Sequence, residues 1–343
     1  MNTQLKRNFT AYFIESRFIS VVISIGIISM RFLMFTKRGL TEPITPINDA
    51  NFVWSIIEPM LQANPIVSFI ASTISIFIIA FLISEINNRF GIIRTRSSMP
   101  FYFPLIIFSV HPQFLSFTPD FPALILVLWS MFPLLATYQS HSTHKYTFQF
   151  SALLAFASIF QVYSIVLVPT WLIGLKALSE IRFRSILASI FCVSVFYWIV
   201  FAFYLFADNI PGFITPMIEL GNIYDFTKAP IFTVPQWGFI GTFIFLVIYF
   251  IIFDNRQIIR DRSFTKKMLY LSMSIIVISL LLHVLYLTHT TFWIYTALAY
   301  LTIIISHFYT NINSNQVVYS FFTFIALMIF YMMVNTFTSL SPF

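Results

Sequence analysis

Eleven stretches of this chain are apolar enough to sit in a lipid bilayer, and little chain separates them. They lie near residues 18–36, 66–85, 99–117, 121–138, 148–160, 163–179, 184–207, 236–254, 268–287, 290–307 and 316–335. A helix crosses the hydrocarbon with about 20 apolar residues, and about 17 to 25 are tolerated. Only 9% of the 343 residues are charged and 59% are hydrophobic. A water-soluble domain carries about 25% charged residues, so this chain cannot keep a soluble surface wet. Within lipid every backbone group must find its partner internally. The chain is therefore expected to be all-α, a polytopic transmembrane helical bundle of about 10–11 spans. Its 44 Phe suit lipid-facing helix surfaces, and 16 Pro against 8 Gly predict kinked, loop-bounded helices. The single cysteine, Cys192, lies in an apolar run, which excludes an internal disulfide framework or a CxxC pair and reads as a buried small hydrophobe.

The placement of positive charge orients the bundle. With the N-terminus inside, 15 of the 19 Lys and Arg fall on cytoplasmic loops, from Lys6 and Arg7 through Arg89, Lys145 and Arg182 to Lys267. Only Lys37, Arg38 and Lys228 fall outside, and Arg31 sits within the first span. This is a strong positive-inside bias, so the N-terminus is expected to be cytoplasmic. The net charge of +7 is thereby absorbed by topology, and no nucleic-acid partner is expected. The first run contains Arg31 and lacks a small-residue cleavage site, so no cleavable signal is expected.

Residues 148–179 carry basic residues at both ends. If both ends are cytoplasmic, the chain goes out and returns, and the polar break Gln161-Val162-Tyr163-Ser164 is the expected turn. The alternative is one long tilted helix. Residues 1–17 form a separate element, with Leu5, Phe9, Tyr12 and Phe13 at helical spacing among Lys6, Arg7 and Arg17. That pattern predicts an interfacial helix along the cytoplasmic headgroups, ahead of a single transmembrane domain over 18–343.

Two outer segments, near 36–64 and 207–236, are long enough to hold polar chemistry. In the first, Phe52, Val53, Ile56, Ile57 and Met60 predict a short amphipathic surface helix with Trp54 at headgroup level. The outer face gathers Glu42, Asp49, Glu58, Asp120, Asp208, Glu219 and Asp225. Such carboxylates suit a divalent cation or a general base at the membrane surface; the plainer expectation for any one of them is a solvated loop residue. Asp49 and Asp120 lie close to a membrane boundary. Arg31 either snorkels to the outer headgroups with Lys37 and Arg38 or contacts a phosphate or carboxylate. The histidines do not form a helical metal pair, and no metal site is expected from them. No Walker loop, GxGxxG, GxSxG or HExxH is present.

Two resemblances follow from these residues. Arg94-Thr95-Arg96-Ser97-Ser98-Met99-Pro100, Ser109-Val110-His111-Pro112, Pro119-Asp120-Phe121 and the run from Leu153 to Arg184 resemble an uncharacterised polytopic inner-membrane protein family of Bacteroidota. The order of a first span, an outer loop with a surface helix, and a short loop ending in Asp120 is similar to C-type membrane glycosyltransferases. The paired short helices that follow, with Pro169 and the Arg182-Phe183-Arg184 exit, are similar too. Those enzymes use polyprenyl-phosphate-linked sugars. The resemblance implies Asp49, with Glu42 as fallback, as the first-outer-loop carboxylate that serves as catalytic base or metal ligand, and Arg31, Arg38, Asp120 and His111 as substrate-binding residues. The adjacent acid pair common in that group is absent, since Asp49 stands between Asn48 and Ala50. The expectation is an envelope protein of the bacterial inner membrane. It either transfers a sugar from a lipid-linked donor at the outer face or serves as a non-catalytic scaffold or accessory subunit of an envelope-assembly complex. A transporter is the third alternative. No cofactor is expected beyond a divalent cation at the outer carboxylates.

Overall fold

The computed structural model describes residues 3–40, 51–93, 97–138, 140, 142–223, 234–287, 290–311 and 315–337. Among them there is no strand. The helices are α1 (Thr3–Phe9), α2 (Arg17–Arg38), α3 (Trp54–Ala63), α4 (Pro65–Phe90), α5 (Met99–Ile107), α6 (Asp120–Ala136) and α7 (Thr143–Phe160). They continue with α8 (Leu167–Leu178), α9 (Phe183–Phe206), α10 (Ile210–Glu219), α11 (Val234–Ile258), α12 (Ser263–Leu285), α13 (Phe292–Thr310) and α14 (Asn315–Phe337). Six of them, α2, α4, α9, α12, α13 and α14, are long and apolar enough to cross a membrane by length and composition. The protein is thus a multi-pass membrane protein.

Local chemistry sets the helix ends. Pro65 opens α4 at a position where its missing N–H costs nothing. Gly39 and Gly91 close α2 and α4 with φ of +71° and +61°, which side chains with a Cβ rarely adopt.

Hydrogen bonds between elements fix the direction of each pass. Helices α7 and α9 touch at Thr143 and Ser185 (3.1 Å), at Ser151 and Ser189 (2.7 Å), and where Tyr197 donates to Ser158 (2.7 Å). The two run parallel, so α8 must return between them. The turn falls where the polar break predicts it: α7 stops at Phe160, Gln161 is extended, and a 3-10 turn over Val162–Val166 leads into α8. At one end of the bundle Ser98 N–H donates to Ile14 O (2.8 Å), and Ser97 meets Thr310 (3.4 Å). At the other, Phe52 N–H donates to Ile159 O (2.9 Å), Tyr286 donates to Leu220 O (2.8 Å), and Asn335 donates to Val110 O (3.0 Å). The first end carries Arg89, Lys145 and Arg182 and is cytoplasmic by the positive-inside rule.

The layers follow from burial. Helix α13 is buried at every residue but Ile294, and α5 at every residue but Phe101. With α6 they form the centre of the bundle. Helices α2, α9 and α14 form its rim, where Phe18, Trp198, Phe203 and Phe330 are exposed to lipid.

Three expectations change. The run 99–117 is not one helix: α5 ends at Ile107, and the chain continues through irregular backbone and a 3-10 turn at Pro112–Leu115. Such backbone is tolerated at membrane depth when protein groups satisfy it. The amphipathic N-terminal segment docks on protein: Phe9 and Phe13 pack against Phe321 and Phe322 of α14, with ring centroids 4.9–6.1 Å apart. Trp54 is buried at 1% exposure, against Phe117, rather than resting among headgroups. Ile56 and Met60 of α3 do face outward.

Candidate functional site

The outer half of the bundle is organised around two buried charged side chains. Arg31 projects from α2 into the protein and is 1% exposed. A cation at this depth costs several kcal/mol unless it is partnered. Its Nε donates to Thr73 Oγ1 (3.2 Å) and Nη1 to Phe108 O (3.2 Å); Nη2 donates to Ser72 Oγ (2.9 Å) and Phe114 O (3.0 Å). The Phe69 ring lies 5.8 Å from the guanidinium carbon. The two carbonyls belong to the irregular backbone after α5. A helix through Phe114 would keep those oxygens for its own ladder. The planar five-donor fork thus explains how α2, α4 and the post-α5 turn are held together. Arg31 does not snorkel.

Asp120 is the first residue of α6, where the free N–H groups of a helix favour negative charge. It is 3% exposed. Its Oδ1 accepts from Gln161 Nε2 (2.9 Å) and its Oδ2 from Thr291 Oγ1 (2.5 Å). Gln161 Nε2 also donates to Thr290 Oγ1 (3.0 Å), which in turn accepts from Phe292 N–H (3.1 Å). One carboxylate thereby ties the start of α6, the α7–α8 turn and the approach to α13. Gln161 breaks the apolar run because its amide is needed here. Between Arg31 and Asp120 stands the Tyr295 ring, packed against Phe114 and Phe121 with centroids 5.0 and 5.1 Å apart.

His111 is 6% exposed, and its Nδ1 accepts from Gln113 N–H (3.3 Å). Arg38, the last residue of α2, lies near enough for its charge to act on the imidazole. Below His111 a narrow apolar cleft runs between α5, α11, α13 and α14, lined by Val110, Phe114, Leu246, Leu298, Leu301, Ile305, Phe324, Leu327, Met328 and Tyr331. Leu327 is exposed at its lipid-facing side.

Glu42 and Asp49 lie outside the described residues. Phe52, three residues beyond Asp49, is held by Ile159 O and by Tyr204, whose hydroxyl donates to Phe52 O (2.6 Å). Ile159 is two residues from Gln161, so Phe52 is pinned beside the Asp120 network. Of the other outer acids, Glu58 accepts from Gln62 (2.8 Å) and Glu219 from Asn222 (3.1 Å), both at exposed positions.

A second buried polar cluster was not singled out by sequence. At the cytoplasmic end, His307 Nδ1 lies 2.7 Å from Asp254 Oδ1 and its Nε2 3.0 Å from Asp261 Oδ2. The imidazole sits between two carboxylates, and the Asn311 side-chain nitrogen lies 2.9 Å from its Nε2. The cluster joins the end of α11, the α11–α12 turn and the end of α13. The hint in the sequence is that Asp254 and His307 each stand at the end of an apolar run, with Asp261 in the charged loop after the first. Nothing pairs residues 53 positions apart before the helices are packed.

No family model matches the chain, and neither a curated protein nor a solved structure is significantly similar to it.

Proposed function

We propose that this multi-pass membrane protein handles a lipid-linked sugar at the outer face of a bacterial inner membrane, in the manner of the C-type glycosyltransferases it resembles. The observation that carries this reading is the apolar cleft beneath His111. Its walls are almost wholly apolar, Leu327 on the α14 wall is exposed to lipid, and His111 stands at its polar head, with Arg38 near enough for its charge to act on that imidazole. That arrangement suits a phosphate at the membrane surface with a hydrocarbon chain below it. In the proposed step Asp49 takes the proton of an acceptor hydroxyl as that oxygen attacks the anomeric carbon. The bond from that carbon to the phosphate oxygen breaks, and the lipid phosphate leaves with the electron pair, its charge offset by Arg38. Phe52, three residues after Asp49 in the sequence, is pinned at the same end of the bundle. Arg31 and Asp120 have protein partners for their polar groups, so they shape this end rather than react.

The test is complementation of a deletion strain, with envelope glycans read by mass spectrometry. Loss of a glycan on deletion and no rescue by Asp49→Asn or Arg38→Gln is the expected result. Full rescue by Asp49→Asn removes it as the base.

A second reading, a non-catalytic scaffold of an envelope-assembly complex, is favoured by the internal satisfaction of Arg31 and Asp120. Under that reading Asp49→Asn rescues fully, and a partner co-purifies with the wild-type chain.

A further inference from the structure

The cytoplasmic end holds a cavity that neither buried cluster uses. It has a volume of about 640 Å³ and lies between the start of α2, the end of α4 and the start of α5. Its walls carry Glu15 and Arg17 on one side, Ser84 and Asn88 on another, and Phe101 toward the membrane interior. The volume is within the range of small-molecule pockets, about 300 to 1,000 Å³.

The polar groups on its walls differ among themselves in what they bond. Asn87 and Ser98, also on the wall, are committed: Asn87 Oδ1 accepts from Ile93 N–H (2.9 Å), and Ser98 Oγ donates to Ile14 O (3.0 Å). By contrast, among the described residues the side chains of Glu15, Arg17, Ser84 and Asn88 have no hydrogen bond or ion pair to the protein. A cation and an anion two residues apart, beside one hydroxyl and one amide, present both signs of charge to the same space.

Position narrows the occupant. Arg17 is the first residue of a lipid-facing helix, so the cavity stands at the level of the cytoplasmic headgroups. Phe101 packs on Phe77 of α4 with ring centroids 6.4 Å apart, making the membrane-side wall apolar. Phe18 and Phe81 expose apolar surface to the lipid nearby.

We propose that this cavity binds the phosphoethanolamine headgroup of an inner-leaflet lipid, with Arg17 on the phosphate and Glu15 on the ammonium. A primary ammonium keeps three N–H donors for Glu15 and the Asn88 side-chain oxygen. A quaternary ammonium has none, and a glycerol headgroup brings no positive charge. The site therefore discriminates phosphatidylethanolamine from phosphatidylcholine and from phosphatidylglycerol.

The test uses the full-length chain, delipidated in detergent and titrated with each of the three lipids under native mass spectrometry. Soluble phosphoethanolamine, run as a competitor, separates the lipid from the free headgroup as source. The expected result is phosphatidylethanolamine retained about tenfold better than the other two, the order expected when one charge-assisted hydrogen bond is lost. Arg17→Gln lowers its retention about tenfold, and Glu15→Gln brings it down to the phosphatidylglycerol level. Both residues are exposed, so an unchanged thermal transition of each variant establishes that the fold survives. Equal retention of all three lipids overturns the proposal, as does wild-type retention by both variants. Free phosphoethanolamine binding as tightly as the lipid would overturn the membrane source.

Discussion

Replacing Arg31 by methionine tests the account of the outer half most directly. The substitution keeps a long, adaptable apolar stem, so the volume left behind is small and the loss is mainly of hydrogen bonds. Four are removed. Two acceptors retain other bonds, since Ser72 Oγ donates to Leu115 O (2.6 Å) and Thr73 Oγ1 to Phe69 O (2.9 Å). The carbonyls of Phe108 and Phe114 lose their partner. A buried group left without a partner costs about 1–3 kcal/mol, so two cost about 2–6 kcal/mol. Sparing the desolvation of a guanidinium offsets part of this. The net destabilisation should be about 2–4 kcal/mol. Arg31→Lys should fall between, because an ammonium reaches fewer of the acceptors. The measurement is reversible unfolding in mixed micelles with increasing SDS, followed by circular dichroism. Lys37→Met at the end of the same helix serves as control and should stay within about 0.5 kcal/mol of wild type. If Arg31→Met does so too, the irregular backbone after α5 is not held by the guanidinium and the reasoning fails.

His307→Leu leaves Asp254 and Asp261 facing an apolar side chain, and breaking a buried pair this way costs about 3–5 kcal/mol; the same SDS titration reads it. Cys192 is 4% exposed, so maleimide should label it only after unfolding; rapid labelling of the folded protein would contradict the packing of α9 on α7. In a Cys192→Ser background, Asn222→Cys should react with an impermeant thiol reagent added outside intact cells, and Lys145→Cys only after permeabilisation. The reverse pattern would overturn the orientation, and protection at both positions would contradict the turn at Gln161.

Much of the architecture is visible in the sequence because lipid allows few alternatives. The ends of α2, α4, α9, α12 and α14 follow the apolar runs closely, and the turn at Gln161 follows from basic residues on both sides of one stretch. The sequence misleads where protein replaces lipid as the surroundings of a segment. Residues 99–117 are apolar enough to look like a span despite Ser109, His111, Gln113 and Ser116, yet their helix stops at Ile107, and Arg31, 77 positions before Phe108, takes carbonyls from the chain beyond. Phe9 and Phe13 show the right face for a headgroup helix, but the rings of α14 offer a better one. Asp120 and Gln161 were each visible as polar residues in apolar surroundings. That one is the reason for the other needed their 2.9 Å contact. The His307 cluster was hidden for the same reason, since its members gain meaning only from helix packing.

The burial of α13 bears on how the protein is made. It has the lowest mean hydropathy of the six long helices in its most apolar stretch and carries Thr296, Thr302, Ser306 and His307. Segments enter the bilayer from the insertion machinery by partitioning into lipid, and polar residues near a helix centre oppose this step. Helix α13 would partition poorly alone. It is synthesised after α5, α6, α11 and α12, and among the described helices it precedes α14. Its protein surroundings are therefore largely assembled before it emerges, and it can exchange the translocation channel for a waiting protein groove without dwelling in lipid. Moving this helix earlier in the chain would remove that groove when it is needed, so the order of the helices is itself part of what makes the sequence insertable.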